Sequence, residues 1–219
     1  MSDRENEVRQ AVRKTVGVVL FDDVEVLDFT GPYEVLAGAR LDESVRWQTD
    51  SPFDLRLVAQ GDVVRCYGGM RVNTDHRLDD CPPLDWLIVP GGWGTRRETD
   101  NAALVGWIGE RSRQAALTAS VCTGARLLAA AGVLDGRRAT THWNSLDWLA
   151  ESYPQVRVER DLHVVDDGDV VTSAGISAGI DLAMTLVARE CGEAVATQLA
   201  RYMEYPYPQD NRRRVATDG

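Results

Sequence analysis

An α/β architecture, with a mostly parallel sheet sandwiched by helices, is expected from three features of this chain. Short, continuous, β-branched-rich apolar runs at 16–21, 86–89 and 117–121 have the length and flanks of strands buried on both faces. Segments with apolar residues at helical spacing alternate with them. No linker, repeat or compositional break interrupts the 219 residues, so one domain is expected, large enough to need neither a metal nor a disulfide staple.

The elements follow in order. Residues 1–14 are polar with both signs of charge and are expected to be an N-terminal extension to a domain over 15–205. Residues 16–21 give the first strand. Its loop ends in Asp28-Phe-Thr-Gly-Pro32, where Thr30 and Gly31 before Pro32 suggest a short helix over 32–39. Residues 41–52 look like an insertion, expected to reshape the ligand pocket. Residues 54–59 alternate as a strand, and 63–65 with 71–73 flank Gly68-Gly69 as a hairpin. The strand 86–89 runs into Pro90-Gly-Gly-Trp-Gly94. A helix is expected over 102–113, capped by Asp100 or Asn101. The strand 117–121 leads through Cys122-Thr-Gly into a helix over 125–131 that Gly132 stops. Strands at 156–158, 163–165 and 170–172 follow, the last two joined by an Asp166-Asp-Gly-Asp169 turn. Helices begin at Ser177 and near Glu193, and 206–219 form a tail expected to be frayed.

Lys+Arg of 24 against Asp+Glu of 34 gives a net charge of -10. That balance disfavours a nucleic-acid partner, which needs a basic face, and equally an anionic membrane. The N-terminus lacks the apolar core of a secretory leader, and no apolar run is long enough to span a bilayer. A cytoplasmic protein with reduced cysteines is expected. Cys66, Cys81, Cys122 and Cys191 show no metal-ligand spacing, and no metal or other cofactor is expected.

Three motifs fall at the carboxyl ends of strands, where open α/β sheets bind ligands. Cys122 sits between a strand and a helix, as in a nucleophile elbow, where amides and the helix dipole favour a thiolate. A free thiol is more often inert packing; the strand-turn-helix context argues for reactivity here. Gly91 and Gly92 allow close backbone approach, so the amides of Gly92 and Thr123 are an oxyanion-hole candidate, against the plainer reading of a turn. Asp28 is either a proton donor and acceptor near the thiol or a helix cap. His142, in Thr-Thr-His-Trp, either assists Cys122 or hydrogen-bonds in the core. Trp93 and Trp143 either line an apolar pocket or pack in the core.

The blocks LDFTGPYEVL, LIVPGGWG, SVCTGARLLAAAGVLDGRRATTHW and TSAGISAGIDLAM, in that order, resemble the ThiJ/PfpI superfamily, related to class I glutamine amidotransferases. The resemblance implies a flavodoxin-like or amidotransferase-like fold and, by analogy with relatives, a homodimer. Thr123 stands where the peptidase-like members carry a His, which speaks against protease activity. Cys-Thr-Gly together with Asp28 is similar to isocyanide hydratases, which turn an isocyanide and water into an N-substituted formamide. The implied roles are Cys122 as nucleophile, Asp28 as general acid and base, Thr123 as a contact to either, and Ile176 as pocket wall. The implied substrate is a small neutral organic molecule. The same blocks occur in the ligand-binding halves of AraC-type regulators, so a small-molecule or redox sensor is an alternative. A glyoxalase-like or amidase activity on a carbonyl is another.

Overall fold

The structure is a computed structural model and describes residues 13–208 and 210–215. All but the last two residues of the expected extension therefore lie outside the described residues. Along the chain come β1 (Lys14–Val19), α1 (Val26–Gly38), β2 (Phe53–Ala59), β3 (Val63–Arg65), β4 (Arg71–Asn73), β5 (His76–Arg77) and β6 (Trp86–Val89). Next are α2 (Thr95–Glu98), α3 (Ala102–Gln114), β7 (Leu117–Ser120), α4 (Gly124–Ala130), β8 (Arg138–Ala139), α5 (Leu146–Ser152) and β9 (Arg157–Val158). The last are β10 (Val164–Asp166), β11 (Val170–Ser173), α6 (Ala178–Cys191) and α7 (Glu193–Tyr202).

Among the described residues a seven-stranded sheet has the order β10-β11-β7-β6-β1-β2-β5. Every pairing in it is parallel except β10 with β11. Val16, Val18, Leu87, Ile88 and Ala119 are wholly buried, which is why these runs carry no polar alternation. Helices α1, α6 and α7 pack together as one group, and α2, α3 and α4 as another. Both expected hairpins form. Asn101 caps α3 by accepting the Leu104 N–H at 3.3 Å.

Register sets the site. Val89 of β6 pairs with Ser120 of β7, and Ser120 pairs with Thr172 of β11. The chain therefore leaves all three strands at one level, bringing Pro90–Gly92, Cys122 and the 174–177 loop together. Strand order reverses between β1 and β6, so this level is also a topological switch point.

Three expectations are corrected. Helix α1 begins at Val26, not at Pro32, and takes Asp28 into its first turn. Pro32 is inside the helix, where its missing N–H forgoes a ladder bond to the Asp28 carbonyl. The start is fixed from outside: Val24 bridges Gly92, and the Glu25 N–H donates to the Gly91 carbonyl at 3.0 Å. Second, the 41–52 segment packs at the far end of α1. Ser51 donates to Leu36 O at 2.6 Å, and Arg46 donates to Gly38 O at 2.8 Å while lying 3.7 Å over the Tyr202 ring. That end is about 15 Å along the helix from Asp28. Third, the tail does not fray where it is described. Asn211 brackets Val164 with two side-chain bonds, Arg213 donates to Thr141 O at 3.0 Å, and Arg214 meets Asp181 at 2.9 Å.

Candidate active site

Cys122 follows β7 and precedes α4, as an elbow requires. Its φ is 56°, a left-handed conformation that non-glycine residues seldom adopt. The turn is tied down by neighbouring backbone. The Cys122 N–H donates to Ala174 O at 3.0 Å, and Thr141 Oγ1 donates to the Cys122 carbonyl at 2.8 Å. The side chain lies in the floor of the site, with 6% of the residue exposed.

Asp28 faces the thiol from α1 and is wholly buried. Its Oδ2 accepts the Gly91 N–H at 3.0 Å, and among the described residues Oδ1 meets no N–H or O–H donor. Burial raises the carboxyl from its ordinary 3.8 to about 7, offset in part by hydrogen bonds from the Cys122 thiol and the Gly91 amide, with Glu25 adding to the rise. Burial also pushes the Cys122 thiol above its ordinary 9.0, with further help from the Asp28 charge. The amides of Ile176 and Thr123 point at the sulfur and pull the other way, without overcoming burial. The thiolate expected from the elbow is therefore not the resting form. At neutral pH the sulfur holds its proton, and Asp28 is poised near half-ionisation beside it. The two groups are one coupled acid-base unit.

The glycine pair works differently from the expectation. Gly92 has φ 135°, and a side chain there would strike the backbone of Asp23, Val24 and Glu25. Its N–H donates to Thr123 Oγ1 at 2.9 Å, and that hydroxyl lies 3.2 Å from the Gly92 carbonyl. The Gly92 amide is thus committed to Thr123 and is not free for an oxyanion. The amides that reach the sulfur belong to Thr123 and Ile176. Ile176 holds φ 52°, a strained setting for a β-branched residue, and is 38% exposed beside the cysteine.

His142 stays at the edge of the site. Nδ1 accepts the Asn144 N–H at 3.3 Å, and the ring lies 5.5 Å from Trp143. Burial, then Arg213 and Arg96, lower its pKa below the ordinary 6.5, so it is neutral at neutral pH. The groups that perturb Cys122 are Asp28, Ile176 and Thr123, and His142 is not one of them. Trp93 and Trp143 are exposed at 64% and 46%, not core. The buried Arg126 on α4 escaped the sequence reading, although a lone charge inside the Ala-Arg-Leu-Leu run was a visible signal. No His, Cys, Asp and Glu cluster suited to a metal occurs among the described residues, nor does any helix long and apolar enough to cross a membrane.

The comparisons agree with this architecture. The model of the DJ-1/PfpI family matches residues 14–189, and the chain belongs to that family. Isonitrile hydratase of Pseudomonas putida is 36% identical over 191 residues, covering 87% of this chain and 78% of that protein. The HTH-type transcriptional regulator CdhR of Pseudomonas aeruginosa is 40% identical over 144 residues, 66% of this chain but only 42% of the regulator. The crystal structure of a ThiJ/PfpI family protein from Pseudomonas syringae superposes with a TM-score of 0.80 at 27% identity, covering 96% of this chain and 83% of that one.

Proposed function

We propose that the protein is a cofactor-free isocyanide hydratase, a lyase acting through Cys122 and Asp28. The observation that carries this reading is the buried thiol-carboxyl pair, whose proton is shared rather than lost to solvent. An isocyanide's terminal carbon must receive both a nucleophile and a proton. Sulfur forms a bond to that carbon, and the thiol proton passes through the Asp28 carboxyl to the same carbon, giving a thioimidate. Water then adds to the carbon, its protons going to nitrogen and, on collapse, back to sulfur. The carbon–sulfur bond breaks and an N-substituted formamide leaves. The amides of Thr123 and Ile176 hold whatever negative charge sulfur carries in transit.

Similarity to regulators supports a second reading, in which the same pocket binds a small molecule without turnover. Purified protein incubated with an alkyl isocyanide separates the two. Formamide production that disappears in Cys122→Ala supports catalysis. Isocyanide turnover undiminished in that variant would sink the mechanism, and binding without turnover would favour the sensor.

A further inference from the structure

Two cations on the helices next to the Cys122 turn have no role in the chemistry described so far. Arg126 lies on α4 four residues after Cys122, and long helical side chains lean back toward the N-terminus, here toward the cysteine. The residue is only 8% exposed. Its guanidinium rests on Trp148 at 3.6 Å, a contact that occupies the face and leaves the in-plane donors to other partners. Among the described residues its one side-chain bond is a long one, Nη2 to Ser145 Oγ at 3.4 Å, and Nε is buried with no partner. Arg96, on the neighbouring α2, is exposed, stacks 4.0 Å over Trp93, and has no ion pair among the described residues.

These two charges flank the turn that holds Cys122: the Arg126 N–H donates to Thr123 O at 3.0 Å, and Trp93, under Arg96, follows the Gly92 whose N–H donates to Thr123 Oγ1 at 2.9 Å. Burial first, and then repulsion from Arg96, lower Arg126 to about 10, with Tyr153 and Cys122 acting the other way, which leaves it cationic at neutral pH. Asp28 is perturbed by Glu25 and by neither arginine, so the cations are not its counter-ions. The chain has 34 acidic residues against 24 basic ones, yet among the described residues neither arginine pairs with a carboxylate. A guanidinium is costly to bury with its donors unmet, and its planar fork matches a carboxylate.

We infer that Arg126, with Arg96 at the rim, is a carboxylate-binding subsite, so the substrates of Cys122 carry an acid group on a short spacer from the reacting carbon. The inference rests on the hydration reading for the reacting group, and it replaces the small neutral substrate expected from sequence with an isocyanide bearing a carboxylate.

Two probes of nearly equal size test the subsite without assuming that reaction. The rates of Cys122 alkylation by iodoacetate and by iodoacetamide are read by peptide mass in wild type, Arg126→Met, Arg126→Lys and Arg96→Gln. The acetate-to-acetamide ratio is expected to fall by about tenfold or more in Arg126→Met, to recover in part in Arg126→Lys, and to fall several-fold in Arg96→Gln. A ratio cancels any general loss of reactivity, and Arg96→Gln is a surface change that tests the pair should Arg126→Met fail to fold. An unchanged ratio in the variants overturns the subsite. In parallel, kcat/KM is compared for 3-isocyanopropanoate and propyl isocyanide. A preference for the acid that Arg126→Met removes supports the full inference. If neither isocyanide reacts, the hydration reading fails while the alkylation ratio still decides the subsite.

Discussion

Replacing Asp28 by Asn tests the central claim, that this carboxyl is held by burial near neutrality. A rise from 3.8 to about 7 means that ionised Asp28 disfavours the folded state by about 4 kcal/mol. The folded chain holds this proton more tightly than the unfolded chain does. The penalty is therefore absent below the unfolded value, grows as pH rises through the window from 3.8 to about 7, and is complete above it. Asn keeps an oxygen to accept the Gly91 N–H and cannot ionise, so it lacks the penalty throughout. Urea unfolding of both proteins at about pH 5 and about pH 8 measures the difference, with all other titrating groups cancelling between them. From the first pH to the second, wild type should lose roughly 2–3 kcal/mol relative to Asp28→Asn. The same variant should lose about 100-fold to 10,000-fold in kcat/KM, since Asn cannot take the thiol proton. A stability difference that is flat with pH would refute the reasoning, because it would mean that Asp28 ionises in the fold as freely as in water.

Three other outcomes follow from the same geometry. Alkylation of Cys122 by iodoacetamide should keep climbing through about pH 9 instead of reaching a plateau below neutrality, because the thiol is raised rather than lowered. Gly91→Ala should cost about 100-fold or more in turnover, since the added carbon would lie 2.5 Å from Thr123 N and 2.8 Å from Asp28 Oδ2 and would displace both. Thr123→Val leaves the Gly92 N–H buried without its acceptor, at a cost of about 1–3 kcal/mol. Thermal melts should show a drop of about 2–4 °C for each kcal/mol, with Thr123→Ser close to wild type.

The strands were legible because burial on both faces leaves an unmistakable apolar run, as in Trp86–Val89 and Leu117–Ser120. The elbow was legible because such a run, a Cys-Thr-Gly turn and a run of helix formers are contiguous. What escaped depends on segments distant in sequence. Nothing local starts a helix at Val26; the bridge from Val24 to Gly92 does. Gly92 looked free for a ligand because its partner, the Thr123 hydroxyl, lies 31 residues away and its orientation is set by packing. The tail looked frayed because its anchors, Val164, Thr141 and Asp181, are spread over earlier elements. Asp181 shows the balance of such a site: burial raises it, but bonds from His163, Tyr205 and Arg214 outweigh burial and leave it below its ordinary value.

The raised thiol bears on which use of the elbow the protein makes. A peroxide sensor needs a thiolate before its oxidant arrives, and a cysteine that keeps its proton is slow to oxidise. Addition to an isocyanide has the opposite requirement, because sulfur and proton go to the same carbon and a proton lost early must be recovered. Burial supplies that condition by penalising both ions at once, so that the proton moves between Cys122 and Asp28 rather than to water. The strain at Cys122 and Ile176 has a matching purpose in this reading. With φ of 56° and 52°, they turn the thiol toward Asp28 and an amide toward the sulfur, and each is held by packing that a plain turn would not need. The same low polarity that keeps the proton in place also strengthens any charge pair formed at Arg126, which ties the choice of substrate to the state of the nucleophile.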